Sequence, residues 1–208
     1  MVNIMTRSAS TPRLRLTQGF YALLAISSLF AGAAPRPVLM ATLVTSLGFI
    51  CVVAACLGRI WCSVFIAGRK DVALVTDGPY AWCRHPLYAW SLLAGLGLGL
   101  ASQTWLWPAL AVVVLGLLFR REIAREEQYL AQLHGQRFSD YAATTPAFWP
   151  RRPPTQITHV SPPEISLRPD ILQKAFLDAA SMLLLLGLIG ACAALRGAGV
   201  LPIWLHLP

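Results

Sequence analysis

The sequence predicts an all-α, polytopic membrane protein with about five transmembrane helices, two of which form a helical hairpin. Of its 208 residues, 56% are hydrophobic and 12% are charged, and the mean hydropathy is +0.60. Soluble globular domains have about 25% charged residues, so this composition excludes an ordinary soluble domain. A helical span needs about 20 mostly apolar residues. The long uncharged stretches are residues 16–35, 37–58, 87–119 and 179–195.

The third stretch is too long for a single span. Its 33 residues would form a helix of roughly 50 Å, whereas the hydrocarbon core of a bilayer is about 30 Å thick. Ser102, Gln103 and Thr104 lie near its middle, and Pro108 follows. We therefore predict a helical hairpin that turns at about residues 101–104.

These stretches divide the chain into four parts. Residues 1–66 hold two N-terminal transmembrane helices, and residues 67–150 hold a polar motif, the hairpin and a Glu-Glu segment. A Pro-rich linker, residues 151–174, leads to an additional C-terminal transmembrane helix within residues 175–208. The basic N-terminus, its apolar stretch and the small residues 31–34 also resemble a signal peptide with its cleavage site, so removal of the first span is an open alternative.

The distribution of cationic residues predicts the orientation, because lysine and arginine accumulate in cytoplasmic loops. Most of them precede the first span or lie in the two long polar segments, and only Arg36 and Arg196 fall in the opposite loops. We therefore expect the N-terminus and both polar segments in the cytoplasm and the C-terminus on the other side, at a bacterial inner membrane. This topology and attraction to anionic headgroups explain the net charge of +8, so we expect no nucleic-acid partner.

The first polar segment runs from about residue 67 to Pro86. Residues 76–79 predict a tight turn, and Pro86 suits the first turn of a helix. Arg84 and His85 then lie at a helix N-terminus on the membrane surface, where the helix dipole and the guanidinium suit a carboxylate or phosphate. Both residues and their aromatic neighbours suit an interfacial belt equally well, and the residues alone leave the two interpretations open.

The second polar segment, residues 119–152, begins where the fourth span ends. It predicts a helix that stops near His134 and Gly135. Three of the nine acidic residues of the chain, Glu122, Glu126 and Glu127, stand here beside the membrane. A solvated helix face is the ordinary interpretation. A carboxylate near the bilayer is nevertheless costly, which indicates a cationic or hydroxyl-bearing partner.

Two further features concern ligands inside the bundle. Gly95 and Gly97 lie in the third span, where small residues favour close helix packing or, alternatively, leave a flat backbone surface for a ligand. The five cysteines show no Cys-x-x-Cys or Cys/His spacing, so we predict no metal site.

Several motifs occur in the order of a known family. GPYAWCRHPLY at residues 78–88 precedes the hairpin, and REEQYLAQLHGQRFSDY at residues 125–141 and TPAFWP at residues 145–150 follow it. This pattern resembles the isoprenylcysteine carboxyl methyltransferase family, which has an Arg-His-Pro-x-Tyr motif, a Glu-Glu pair and late Tyr and Pro motifs. It is also similar to the phospholipid N-methyltransferases, which share a Gly-x-Gly in a membrane helix and the Glu-Glu pair. The resemblance covers roughly residues 75–150.

The resemblance implies an integral-membrane methyltransferase that uses S-adenosylmethionine. The implied cofactor pocket lies between the hairpin and the polar segments and opens to the cytoplasm, while a small or lipophilic acceptor with a carboxylate, amine or thiol enters from the bilayer. The implied cofactor-binding residues are Arg84, His85, Tyr88, Gly95, Gly97, Glu126 and Glu127. Among implied catalytic residues, Arg84 or Arg120 would orient an anionic acceptor, and His85 or a glutamate would take a proton from an amine or thiol.

The chain departs from the family pattern in ways that leave the acceptor open. Phe138 stands where the family commonly has a tyrosine, and His134 stands where an aromatic residue usually precedes the glycine. The fifth span is an addition, because the relatives usually end soon after the late proline. An alternative function is a non-catalytic binding or regulatory protein on the same scaffold, although both charged motifs are retained. A transporter is disfavoured because charges are scarce inside the spans.

Overall fold

In a computed structural model of the protein, residues 11–33, 36–69, 72–149 and 169–207 are described. Most of them are helical. The helices are α1 (Thr11–Phe30), α2 (Val38–Ile66), α3 (Pro86–Ala101), α4 (Leu106–Leu110), α5 (Gly116–His134), α6 (Gln136–Thr144) and α7 (Pro169–Gly197). A short 3₁₀ helix (Gly78–Ala81) lies before α3, and a π-helical turn (Ala111–Leu115) joins α4 to α5. The strands are β1 (Ala31–Ala33) and β2 (Leu205–Leu207).

The predominantly helical fold is as predicted, and β1 and β2 add one short parallel pair in which Ala31 lies opposite Leu205. The backbone N–H of Trp204 donates to the carbonyl of Phe30 at 3.1 Å, and the Arg196 side chain donates to the carbonyl of Ser28. Strands this short are held by backbone hydrogen bonds, so the residue types in the sequence did not predict them. The contacts tie the end of α1 to the end of α7 and to the chain that follows it.

Among the described residues, α2 and α7 are long and apolar enough to cross a membrane, at 29 residues each. Only 17% and 28% of their most apolar stretches are buried, whereas the core helix of a soluble protein would be mostly buried. The apolar parts of α1 (Leu16–Phe30) and α3 are shorter. The structure thus supports an integral membrane protein, and the number of about five spans stays a prediction.

The predicted hairpin is confirmed. Helix α3 ends at Ala101 and α4 begins at Leu106, with Gln103 at a positive φ of 62° in the turn. The Ser102 hydroxyl closes the helix end by donating to the Gly99 carbonyl at 2.7 Å. The second arm continues through the π-helical turn into α5, so its polar end returns to the start of α3.

Glycines allow α3 to approach its neighbours closely. A Cβ atom at Gly97 would lie 2.7 Å from the carbonyl oxygen of Gly48 on α2, and one at Gly95 would lie 2.6 Å from a methyl carbon of Leu115. Both distances are far below van der Waals contact. The packing interpretation of these glycines therefore holds, since their missing side chains are replaced by atoms of other helices.

Replacing Gly97 by alanine should push α2 and α3 apart. Overpacking of this kind costs about 1–3 kcal/mol, so we expect the midpoint of thermal unfolding in detergent to fall by about 3–10 °C. The control is Gly187→Ala on α7, where a Cβ atom meets nothing within 4 Å. Equal midpoints for the two variants would contradict the close α2–α3 contact.

Helix α7 packs on α2, α1 and α3. Its buried residues recur at helical spacing and form one apolar stripe: Ala179, Met182, Leu186, Ile189 and Cys192. The helix begins at Pro169, so residues 169–174 are helical where we predicted the end of a linker. Residues 151–168, the rest of that linker, lie outside the described residues.

Candidate active site

The site is built on the segment that leads into α3. Gly78 has a positive φ of 58°, and the N–H of Tyr80 donates to the Asp77 carbonyl at 3.1 Å, which confirms the predicted turn. The Arg69 guanidinium holds the Asp77 carboxylate at 2.9 Å. His85 is the residue immediately before the helix, and Pro86 is its first residue. Arg84 and His85 thus stand at the helix N-terminus, as predicted.

Arg84 uses every nitrogen of its guanidinium within the protein. Nε donates to Oε1 of Glu127 at 2.9 Å, and Nη2 lies 2.7 Å from the same oxygen. Nη1 donates to the carbonyls of Ala142 at 2.8 Å and Thr145 at 2.6 Å. Such charge-assisted, forked contacts fix orientation. Arg84 therefore joins α3, α5 and the end of α6.

His85 and Tyr88 contact the acidic pair. His85 is buried, and its Nε2 lies 3.1 Å from Oε1 of Glu127. A carboxylate only accepts hydrogen bonds, so we assign a proton to this nitrogen. The Tyr88 hydroxyl donates to Oε2 of Glu126 at 3.0 Å, and the Tyr88 ring packs on Phe119 at 5.2 Å between centroids. Two turns of α5 thus face the first turn of α3.

The two glutamates differ in their surroundings. Burial alone would raise the pKa of Glu127, but hydrogen bonds from Arg84 and His85, together with their charges, lower that pKa below its ordinary value. Its side chain is 28% exposed, whereas that of Glu126 is 40% exposed. Glu127 is therefore held ionised within the network, and Glu126 presents carboxylate surface outward.

The late segment that follows α6 completes the site. The backbone N–H groups of Arg84 and His85 donate to the carbonyls of Pro146 and Ala147 at 2.9 and 3.1 Å. Protein carbonyls thus occupy positions that we expected to be open to an anion. An open pocket of about 520 Å³ lies beside this contact and is lined by Arg84 and residues 142–147.

Tyr141 holds the late segment from the other side. Its hydroxyl donates to the Tyr80 carbonyl at 2.6 Å. Burial raises the pKa of Tyr141, so the hydroxyl keeps its proton and remains a donor. Sequence reasoning missed Tyr141 and the carbonyls of residues 142–147 as parts of the site. The TPAFWP motif was the available signal, although a backbone carbonyl has no residue-type signature.

Three predicted residues lie away from this network. Gly95 follows Tyr88 by seven residues on α3, or about 10 Å along the helix, and Gly97 lies against α2. Arg120 is exposed on α5, seven residues before Glu127. Within the described part of the chain, no hydrogen bond or ion pair joins Arg120 to the network. Their roles in binding or catalysis stay predictions.

Sequence reasoning also missed a polar cluster deeper in the bundle. Arg59 of α2 donates through Nε to Oδ2 of Asp178 of α7 at 2.8 Å, and its Nη1 donates to the Ser91 hydroxyl of α3. Arg59 and Asp178 border apolar stretches, so each looked like the edge of a span. Their pairing across 119 positions leaves no mark in a single sequence.

The fold and the network define a helical membrane protein with a charged site at one end of a hairpin. Residues 38–132 match the model of the isoprenylcysteine carboxyl methyltransferase (ICMT) family. This match includes the hairpin and all seven residues proposed to bind the cofactor. The resemblance to the isoprenylcysteine carboxyl methyltransferase family is thus confirmed over residues 38–132.

Three individual proteins are similar to the chain over part of its length. The cobalt-zinc-cadmium resistance protein CzcN of Cupriavidus metallidurans is 42% identical over 109 residues, which are 52% of this chain and 50% of that protein. The nickel-cobalt-cadmium resistance protein NccN of Alcaligenes xylosoxydans xylosoxydans is 40% identical over 51% of this chain and 49% of that protein. The protein-S-isoprenylcysteine O-methyltransferase of Schizosaccharomyces pombe is 34% identical over 41% of this chain and 36% of that protein.

The chain thus spans about half the length, or less, of these curated relatives. No solved structure matches the chain significantly. Within the described ranges, no three His, Cys, Asp or Glu side chains are grouped where they could hold a metal ion together. The absence of a metal site from the whole chain stays a prediction.

Proposed function

We propose that the chain is an S-adenosylmethionine-dependent membrane methyltransferase that acts on a small or lipidic acceptor. One observation carries the proposal: Arg84, His85 and Tyr88 contact Glu126 and Glu127 in one network. The motifs that contribute these residues are separated by the whole hairpin, and the match of residues 38–132 to the family model supports the same activity. The distribution of cationic residues supports a cytoplasmic site at a bacterial inner membrane.

The donor set fits S-adenosylmethionine, which when bound supplies an electrophilic methyl group on a sulfonium. Glu126 would hold the ammonium or the ribose hydroxyls, since its partly exposed carboxylate has acceptor capacity beyond the Tyr88 hydrogen bond. Arg84 and Glu127 form an ion pair with each other, so we propose that their role is to position His85 and the late segment. Gly95 and Gly97 are kept as cofactor-binding proposals on the family resemblance alone.

The acceptor decides whether the protein must move a proton. A carboxylate acceptor is already a nucleophile, and no base is required. An amine or thiol must lose a proton, and His85 and Glu126 are the candidate groups in the network to accept it. Good alignment of the reactants can supply effective molarities of about 10⁵–10⁸ M, so the protein needs few catalytic groups.

A second candidate function is considered because two of the relatives are named as metal-resistance proteins and not as enzymes. In this alternative the scaffold is a non-catalytic binding or regulatory module. Binding of S-adenosylmethionine separates the two candidates, because only the methyltransferase needs it.

We expect the detergent-purified protein to bind S-adenosylmethionine in calorimetry and Glu126→Gln to bind it about tenfold more weakly. The amide keeps the shape and can still accept from Tyr88, but it loses the charge that a cofactor ammonium or hydroxyl would contact. Asp140→Asn is the matched control, since this exposed carboxylate accepts a hydrogen bond from the Gln136 side chain of the same helix. Absence of binding by the unaltered protein would refute the methyltransferase proposal and favour the module.

A further inference from the structure

Two tryptophans lie against each other at the end of the bundle that carries the candidate site. The ring centroids of Trp61, on α2, and Trp82, in the segment before α3, are 5.9 Å apart at an interplanar angle of 88°. Phe65, one turn beyond Trp61, contacts the Trp61 ring at 6.2 Å. Both indoles remain partly exposed, at 37% for Trp61 and 46% for Trp82. This tryptophan pair is therefore a surface feature that lies two residues from Arg84 along the chain.

The exposed apolar side of α2 leads directly to the tryptophan pair. Its members recur at helical spacing and are each more than half exposed: Leu43, Leu47, Ile50 and Leu57. Trp61 continues this stripe by one more turn. It lies about 35 Å along the helix from Val38, the first residue of α2, and a hydrocarbon core about 30 Å thick matches this length when the helix is tilted. Trp61 thus stands where a span that starts at Val38 leaves the hydrocarbon.

The neighbouring helices reach the same level where their uncharged stretches end. Leu87, in the first turn of α3, packs on the buried cluster of Cys62, the residue after the first tryptophan of the pair. Tyr88, the next residue of α3, packs on Phe119 of α5. Arg120 follows Phe119 and is exposed, and it is the first charged residue of the second hairpin arm. A boundary between hydrocarbon and headgroups therefore crosses α2, α3 and α5 at one level.

The opposite end of the bundle has a matching feature. The Arg36 guanidinium lies 4.9 Å from the ring centroid of Trp105, which is 47% exposed near the hairpin turn. Other tryptophans lie inside the bundle, since Trp107 is 4% exposed and the Trp90 ring occupies the space that a Cβ atom of Gly58 would need. Membrane proteins have exposed tryptophans at both interfaces, because the indole is apolar with one polar group. The exposed tryptophans of the hairpin region follow this distribution.

We propose that Trp61 and Trp82 form a docking surface for the phospholipid headgroup layer and hold residues 82–85 at that depth. The occupant is a lipid surface, because the pair continues the lipid-facing stripe of α2 and because an indole N–H donates to phosphate or ester oxygens. Glu126 and Glu127 lie about 10 Å further along α5 than Phe119. The candidate site is then at the level of the headgroups, and this holds whether or not the chain is a methyltransferase.

The first test measures tryptophan quenching in nanodiscs that each hold one full chain. One quencher is a phosphatidylcholine with a nitroxide on its headgroup, and the other has the nitroxide deep in an acyl chain. The fluorescence of Trp82 is the difference between the unaltered protein and Trp82→Phe, which keeps an aromatic ring against Trp61. Trp107→Phe is the matched control, because Trp107 is buried.

We expect the headgroup quencher to reduce the Trp82 signal about twofold more than the deep quencher does, and the Trp107 signal to respond weakly to both. Stronger quenching by the deep nitroxide would place the pair in hydrocarbon. Quenching by neither lipid would mean that water or protein covers the pair. Either result overturns the proposal. If Trp82→Phe does not fold, Trp61→Phe gives the same measurement, because the two rings contact each other.

A second test locates the boundary on α5 without the tryptophans. A membrane-impermeant maleimide should label Gln128→Cys and leave Leu117→Cys unlabelled. Both positions are exposed on α5, and they are about 16 Å apart along the helix. All native cysteines except Cys51 are buried, so the unaltered protein gives a low background. Labelling of Leu117→Cys or protection of Gln128→Cys would move the boundary away from the tryptophan pair and reject the proposal.

Discussion

Replacing Arg84 by alanine should lower the midpoint of thermal unfolding by about 5–15 °C and abolish S-adenosylmethionine binding. The substitution leaves Glu127 without its guanidinium and removes the donors to the carbonyls of Ala142 and Thr145. Breaking a buried pair from one side costs about 3–5 kcal/mol, and partial exposure of Glu127 reduces this to about 2–4 kcal/mol. Binding is lost because the acidic pair and the late segment are no longer held together.

Arg84→Lys separates charge from geometry. Lysine keeps the charge but cannot reach Glu127 and two carbonyls with one planar group, so its stability should lie between those of the alanine variant and the unaltered protein. Arg125→Ala is the control, because Arg125 is exposed and its pair with Glu122 contributes about 0–1 kcal/mol. Thermal unfolding in detergent measures all three. Equal losses at Arg84 and Arg125 would show that Arg84 is an ordinary surface arginine.

The parts of the site that sequence reasoning predicted are those set by chain geometry. An uncharged stretch too long for one span, with Ser102–Thr104 at its middle, required a hairpin. A hairpin returns the chain to the side where it started, so the Arg84 motif and the Glu126 pair had to lie at the same end. The family resemblance supplied the individual side chains of this network, and the structure brings five of them together.

The parts that sequence reasoning missed depend on groups without a residue-type signal or on distant pairing. The carbonyls of Pro146 and Ala147 accept from the backbone at the start of α3. Every residue has a backbone carbonyl, so the residue type does not reveal this role. Asp178 borders an apolar stretch and is explained only by Arg59 on another helix. The three-residue strands β1 and β2 are too short for alternation to be recognised.

Because of Glu127, the free energy of unfolding should depend on pH in the acid range. Glu127→Gln removes the charge that pairs with Arg84 and accepts from His85, so we expect a loss of about 1–3 kcal/mol at neutral pH. The folded-state pKa of Glu127 lies below its ordinary value of 4.5, which means that ionised Glu127 stabilises the fold. This contribution is complete above the ordinary value and disappears as the pH falls through the lowered pKa.

The unaltered protein and Glu127→Gln should therefore differ most at neutral pH and converge in acid. The measurement is denaturant unfolding in detergent at a series of pH values from about 7 down to about 3. His85, Glu126 and Arg84 are present in both proteins, so the difference between the two curves isolates Glu127. The curve for Asp140→Asn should run parallel to that of the unaltered protein, because the exposed Asp140 carboxylate accepts from the neutral Gln136 side chain. A constant gap between the Glu127→Gln and unaltered curves would mean that the Glu127 charge does not stabilise the network, and the amide would then act through shape alone.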